Sequence, residues 1–119
     1  MEITIYDKKG KTCAYIATDD DHTIYLFNGQ PVAYIDGENI YGFKGKHLGW
    51  LRRRVTYNRN GLRIGFTKII CPSPTQVEPE KSAKKAKPER SARITAPPQP
   101  DLQLSKSENN LSDFLQGEC

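Results

Sequence analysis

The sequence predicts an all-β fold: four antiparallel β-hairpin repeats in a compact pseudo-four-fold arrangement over residues 1–70, followed by a disordered tail over 71–119. Three observations carry this reading. Gly10, Gly29, Gly45 and Gly61 recur with aromatic residues at fixed offsets, each glycine closes a turn signal, and the composition changes abruptly at Cys71-Pro72-Ser73-Pro74.

The repeat is read from the glycines outward, since internal periodicity of this length defines the architecture before any single element does. Tyr6, Tyr25, Tyr41 and Tyr57 stand four residues before them, preceded by Ile5, Ile24, Ile40 and Thr56. Cys13, Val32, Leu48 and Ile64 stand three after, then the small residues Ala14, Ala33, Gly49 and Gly65, then Tyr15, Tyr34, Trp50 and Phe66. With Phe27 and Phe43, ten of the eleven aromatics fall in repeat columns.

Each unit reads as a hairpin. The central pairs Lys9-Gly10, Asn28-Gly29, Lys44-Gly45 and Asn60-Gly61 predict two-residue type I′ turns, Asn-Gly being the pair that best tolerates two positive φ angles. Such a turn sets Tyr25 opposite Val32 and Ile24 opposite Ala33. Both faces of the stem are then apolar, so neighbouring hairpins must cover one another around a central axis. The Ala/Gly column marks where a ring or a backbone comes close. The connections 18–23, 36–39 and 52–54 are too short for a helical crossover, so adjacent strands run antiparallel. Cys13 reads as a small core residue. Phe27, Phe43 and His47, near the turns, read as the more exposed members.

The repeat Ile-Tyr-x-x-x-Gly-x-x-x-Ala-Tyr-Ile is similar to that of the four-fold beta flower domain found in small bacterial proteins. The resemblance covers about residues 3–68 and implies a compact pseudo-four-fold β assembly. It implies no activity and no functional residues. The fourth unit departs from the pattern most, with Thr56 and Thr67 for aliphatics and Arg59 where Phe27 and Phe43 stand; the first carries Lys8 there. Beta-barrel modules of the PRC type and MORN repeats share some of the Gly/Tyr spacing, but MORN units are longer and richer in glycine.

All but one of the eight prolines lie between Pro72 and Pro100, among Lys, Glu, Ser and Ala. A segment this polar has little to bury against its ordering entropy, so residues 71–108 read as a linker. Residues 109–119 differ. Leu111, Phe114 and Leu115 have i, i+3, i+4 spacing, with Asn110 or Ser112 as N-cap and Gly117 as stop. These three are the candidate protein-docking residues, since one or two helical turns are unstable alone in water. On this reading a chain ending at Ile70 keeps the full thermal midpoint.

The net charge of +4 is unevenly distributed. Residues 1–38 hold three lysines against seven acids, a net of −4, whereas residues 39–77 hold eight bases and no acid. Residues 78–119 are balanced, yet 81–93 alone carry +5. Lys44, Lys46, Arg52, Arg53, Arg54, Arg59 and Arg63 are the candidate anion-binding residues. Asp19-Asp20-Asp21-His22 lacks the glycine and distal glutamate of a calcium loop and reads as a solvated connection.

Cys13, Cys71 and Cys119 form neither a disulfide framework nor a metal spacing. No positioned base or oxyanion site accompanies the two histidines, so no enzyme, cofactor or metal is expected. No apolar run approaches the roughly 20 residues of a membrane helix, and a cytoplasmic protein is expected. The functional expectation is a non-catalytic β scaffold acting as a protein-interaction or adaptor module. The alternative is a non-sequence-specific nucleic-acid-binding protein using the basic half and the Lys-rich tail. Weak self-association would pair Asp19–Asp21 with Arg52–Arg54 across a dimer.

Overall fold

A computed structural model describes residues 2–103, 105–108 and 110–116. Eight strands follow in chain order: β1 (Glu2–Tyr6), β2 (Thr12–Ala17), β3 (Thr23–Leu26), β4 (Pro31–Asp36), β5 (Asn39–Gly42), β6 (His47–Arg52), β7 (Val55–Asn58) and β8 (Arg63–Phe66). Each pairs antiparallel with the next, and β8 returns to β1 to close a barrel. The four repeats are the hairpins β1–β2, β3–β4, β5–β6 and β7–β8. A 3-10 turn (Lys68–Ile70) follows, and a short helix α1 (Leu111–Leu115) lies near the end of the chain. Asn110 takes the N-cap position, its carbonyl accepting from Phe114 N at 3.0 Å; the expected stop, Gly117, lies outside the described residues.

The turns correct the type I′ expectation. In the second repeat Gly29 N donates to Leu26 O and Leu26 N to Gln30 O, both at 2.9 Å, and the other three hairpins repeat the pattern. These are three-residue loops, a type I turn followed by one left-handed residue. Only the glycine has positive φ, +92° at Gly29 and +89° at Gly45, which is why lysine is tolerated before it in two repeats. The connection with both central φ angles positive is Arg53-Arg54, at 52° and 68°.

The longer loop shifts the register. Ile24 faces Ala33 as expected, but Tyr25 faces Pro31, so Val32 is a bulge residue rather than a cross-strand partner. Cys13, Leu48 and Ile64 are the bulges of the other hairpins. A bulge sets two consecutive side chains on one side of the sheet, and both Val32 and Ala33 join the interior core. That core also takes Ile5, Ala14, Ile16, Ile24, Ile40, Leu48 and Ile64.

Four aromatic pairs stand outside the interior, one at each seam between hairpins: Tyr15 opposite Tyr25, Tyr34 opposite Tyr41, Trp50 opposite Tyr57, and Phe66 opposite Tyr6. All eight rings are buried.

Two further expectations are corrected. His47 is 2% exposed. It packs edge-on against Tyr41 and Trp50, and Nε2 lies 3.1 Å from Asn39 Oδ1. Phe43 is buried and Phe27 half-buried, because the tail covers the hairpin tips they occupy.

The tail forms no helix or strand among the described residues between Cys71 and Asn110, in keeping with its composition. It nonetheless follows a defined path. Gln76 N donates to Gly10 O, Lys85 N to Gly29 O, Ile94 N to Gly45 O and Gln103 N to Gly61 O, all at 2.9–3.0 Å. The donors are nine residues apart, so the chain circles the hairpin tips at one repeat per nonapeptide. Ser82 N and Ser91 N bond Phe27 O and Phe43 O, and Ser73 Oγ bonds Lys8 O. The glycines are needed for this contact as well as for φ. A Cβ at Gly29 would lie 2.0 Å from Ala83 O, and one at Gly45 would lie 2.1 Å from Ala92 O.

After this circuit α1 closes the barrel at the hairpin-tip end. Leu111, Phe114 and Leu115 are 3%, 4% and 0% exposed and belong to the interior core. The docking motif therefore docks within its own chain. Three large apolar side chains at helical spacing find an apolar barrel mouth at high effective concentration, and burying each contributes roughly 1.5–3 kcal/mol. The expectation that a chain ending at Ile70 keeps its stability is corrected for the same reason.

Candidate binding surface

The outer surface follows from what the tail neutralises. Lys81 and Lys84 pair with Glu2 at 3.0 and 3.2 Å, Lys87 with Asp20 at 2.6 Å, and Arg93 with Asp36. These acids belong to the negative half of the barrel, so the basic block 81–93 is matched to that half in cis. The Lys81 and Lys84 bonds hold the Glu2 carboxyl below its ordinary range despite some burial, and the Lys87 and Tyr25 bonds do the same for Asp20.

The same cations cover the aromatic seams. Lys81 Nζ lies 4.9 Å from the Tyr15 ring centre and Lys84 Nζ 5.4 Å from that of Tyr25. Arg90 lies 3.8 Å from the Tyr34 ring and Arg93 5.4 Å from the Tyr41 ring. Such contacts stabilise by about 0.5–1 kcal/mol each at exposed sites. Burial, then the bond that its hydroxyl donates to Asp20 at 2.7 Å, push the Tyr25 phenol up. At the third seam the nonapeptide supplies Gln99 and Leu102 instead of cations. Leu102 packs against the cluster of Val55, Tyr57 and Phe66.

The seven candidate anion-binding residues are not brought to one site. Lys44, Lys46 and Arg59 are exposed at the hairpin-tip end; Lys44 and Lys46 line a cleft of about 570 Å³ with Phe43, Pro88 and Gln116. Arg52, Arg53 and Arg63 line a second cleft of about 480 Å³ over Tyr57, beside Gln99 and Asp101. Arg54 stands at the opposite end of the barrel from the hairpin tips. Arg52 is engaged by Glu38 at 3.9 Å and donates to Gln99 at 3.0 Å. Lys44, Arg53, Arg54, Arg59 and Lys68 form no ion pair among the described residues. The positive half thus keeps its charge while the negative half is covered.

The Asp19–His22 loop is a connection, not a pocket: Asp20 is held by Tyr25 and Lys87, and Asp21 and His22 have φ of 54° and 53°. His47 is the buried imidazole. Burial first, and then nearby Arg59, lower its pKa, so it stays neutral between Tyr41 and Trp50.

The tail's role as a cover was not drawn from composition, yet the sequence carries a signal for it. Ser73, Ser82 and Ser91 are nine apart, as are Pro79, Pro88 and Pro97, and the ring-facing cations Lys81/Arg90 and Lys84/Arg93 keep the same interval.

No helix among the described residues is long and apolar enough to cross a membrane. Neither the curated proteins nor the solved structures contain a match to this chain. One family does, described as 4-fold beta flower protein, and the match spans residues 3–115, taking in the barrel, the circling segment and α1. With residues 3–115 matched and four hairpins closed into one barrel, this protein belongs to the 4-fold beta flower family.

Proposed function

We propose that this protein is a non-catalytic β scaffold, a cytoplasmic protein-interaction module that takes an acidic protein segment on the basic surface of its third and fourth repeats. The carrying observation is the unequal neutralisation of charge. The tail's basic block is matched to Glu2, Asp20 and Asp36, whereas Lys44, Arg53, Arg54, Arg59 and Lys68 form no ion pair among the described residues. A fold that neutralises one charged half and leaves the cations of the other unpaired among the described residues is suited to a partner of opposite sign. Catalysis has no part in this reading: His47 is enclosed by Asn39, Tyr41 and Trp50, and His22 lies exposed on a connection.

Nucleic acid would use the same cations. Single-strand binders, however, add aromatic platforms on which bases stack. Among the described residues every aromatic ring is buried or half-buried, which favours a protein partner. The test uses the full chain as bait in a cytosolic extract, with and without nuclease, beside a variant carrying Lys44→Glu, Arg53→Glu and Arg59→Glu. Acidic proteins should be recovered in both extracts and lost from the variant at unchanged melting temperature. Recovery that disappears with nuclease would turn the assignment to nucleic acid.

A further inference from the structure

Three seams of the barrel are full ladders and one is not. β2–β3, β4–β5 and β6–β7 each pair four residues. β8 meets β1 at Tyr6 and Phe66 alone. By the four-fold repeat the next rungs would join Thr67 to Ile5 and Lys68 to Thr4. Neither forms, because the chain turns into the 3-10 segment Lys68–Ile70 to begin its circuit. Residues 2–5 of β1 therefore have a strand on one edge only, among the described residues.

A cleft of about 490 Å³ lies along this gap. Ile3, Ile16, Leu51 and Ile69 give it apolar walls, and Ile69 is 80% exposed. Thr67 Oγ1 is buried there without a hydrogen-bond partner. Arg54 and Lys68 stand at the same cleft and form no ion pair among the described residues. Its two acids are already engaged, Glu2 by Lys81 and Lys84 and Glu78 by Lys81.

We propose that this gap is a strand-addition site for an extended acidic peptide of a partner protein. The peptide would lie along the free edge of β1 and supply the missing rungs. Its alternate apolar side chains would pack on Ile3, Ile16, Leu51 and Ile69, and its carboxylates would meet Arg54 and Lys68. Main-chain hydrogen bonds to an open edge provide affinity, and pockets for alternate side chains provide selectivity. A long open edge is also a liability that folded proteins usually blunt; here it is flanked by an apolar cleft and two unmatched cations, which selects for acidic strands over indiscriminate pairing. The four free residues of β1 span roughly 13 Å, so four to six peptide residues fill the gap. This inference rests on the interaction-module reading and names its site and ligand chemistry.

The probe is a capped heptapeptide of alternating valine and glutamate, titrated into the full chain and followed by backbone amide shifts. Shifts should centre on residues 3–5 and 67–69. Methylating alternate peptide nitrogens should abolish binding, since it removes the rungs and leaves the side chains. Arg54→Gly with Lys68→Glu should weaken binding tenfold or more; Arg54→Gly also removes a positive-φ arginine, so loss of fold does not explain the loss. Equal binding of the methylated peptide, or shifts elsewhere, would overturn the proposal. So would a dimer that forms without peptide and dissociates on Ile69→Lys, which would assign the gap to a second copy. No peptide binding, with partners still lost from the charge-reversed variant above, would remove this site and leave the broader reading intact.

Discussion

Repeats one and two place Ala14 and Ala33 on the barrel interior, where repeats three and four place Gly49 and Gly65. The difference matters at α1. A Cβ at Gly49 would come 3.0 Å from the Phe114 ring and 2.0 Å from Tyr57 O, and one at Gly65 would come 3.2 Å from Leu111 Cδ1. The outer surface divides along the same line. The first two repeats are acidic and their Glu2 and Asp36 carboxylates are paired by the tail's cations, while the last two are basic and meet Gln99 and Leu102 at the seam between them. Four-fold repetition built the barrel, and departures from it decide where the chain's end is received and which surface stays charged.

The largest expected effect tests the inner half of this comparison. Phe114→Ala removes the ring seated beside Gly49 and should destabilise the whole barrel by about 3–5 kcal/mol, read as a lower urea midpoint. An unchanged midpoint would mean that α1 is not part of the core.

Gly49→Ala comes next. Its methyl group meets backbone rather than a yielding side chain, so a loss of about 1–3 kcal/mol is expected. Ala33→Gly, the reverse change in the second repeat, removes a buried methyl as well as adding backbone entropy and should cost about 1–2 kcal/mol. A Gly49→Ala protein as stable as the unsubstituted one would show that the repeats are equivalent at α1.

The outer half is tested by Lys81→Gln with Lys84→Gln. These pairs are partly exposed, so a loss of about 1 kcal/mol or less is expected at low salt, shrinking as salt rises. Hydrogen exchange should quicken at Ser82 and Lys85, whose amides bond the second hairpin, while Gln103 at the fourth is unaffected. Equal quickening at both would mean that the tail detaches as one unit.

The smallest effect is that of pH, and the two halves respond in different windows. His47, in the third repeat, has a folded pKa below its ordinary 6.5, so the unfolded chain binds the proton more readily and stability falls as pH drops below about 6.5. Glu2 and Asp20, in the first two repeats, have lowered pKa values; their contribution is complete above the ordinary carboxylate range and is lost as pH falls through it. His47→Gln should flatten the upper window and leave the lower one. A pH profile unchanged by that substitution would mean that His47 titrates alike in both states.

The hairpins were legible because their determinants are local. A glycine that must take positive φ and a period-two apolar pattern specify strand, turn and strand within about sixteen residues. The loop is one residue longer than a type I′ turn: Lys9 and Lys44 before the glycine fit a three-residue loop, in which only the glycine is left-handed. That one residue moved Val32 from an outer pair to the interior. The candidate anion-binding residues were legible as a charge excess but not as a site, because Lys46 precedes β6 and Arg52 ends it, a strand's length apart.

By itself the sequence determined eight strands in four hairpins, the aromatic columns, a linker without helix or strand among the described residues between Cys71 and Asn110, and the division of charge. Each depends on the conformational preference or polarity of residues near one another in the chain. Tertiary structure alone decided that the tail circles the hairpin tips, that Leu111, Phe114 and Leu115 close the barrel rather than meet a partner, and that the seam between β8 and β1 stays open. Those outcomes depend on which surfaces remain uncovered once the barrel closes. Polarity shows that a tail has little to bury by itself, but not that a barrel of the same chain holds a place of the right shape and charge to receive it.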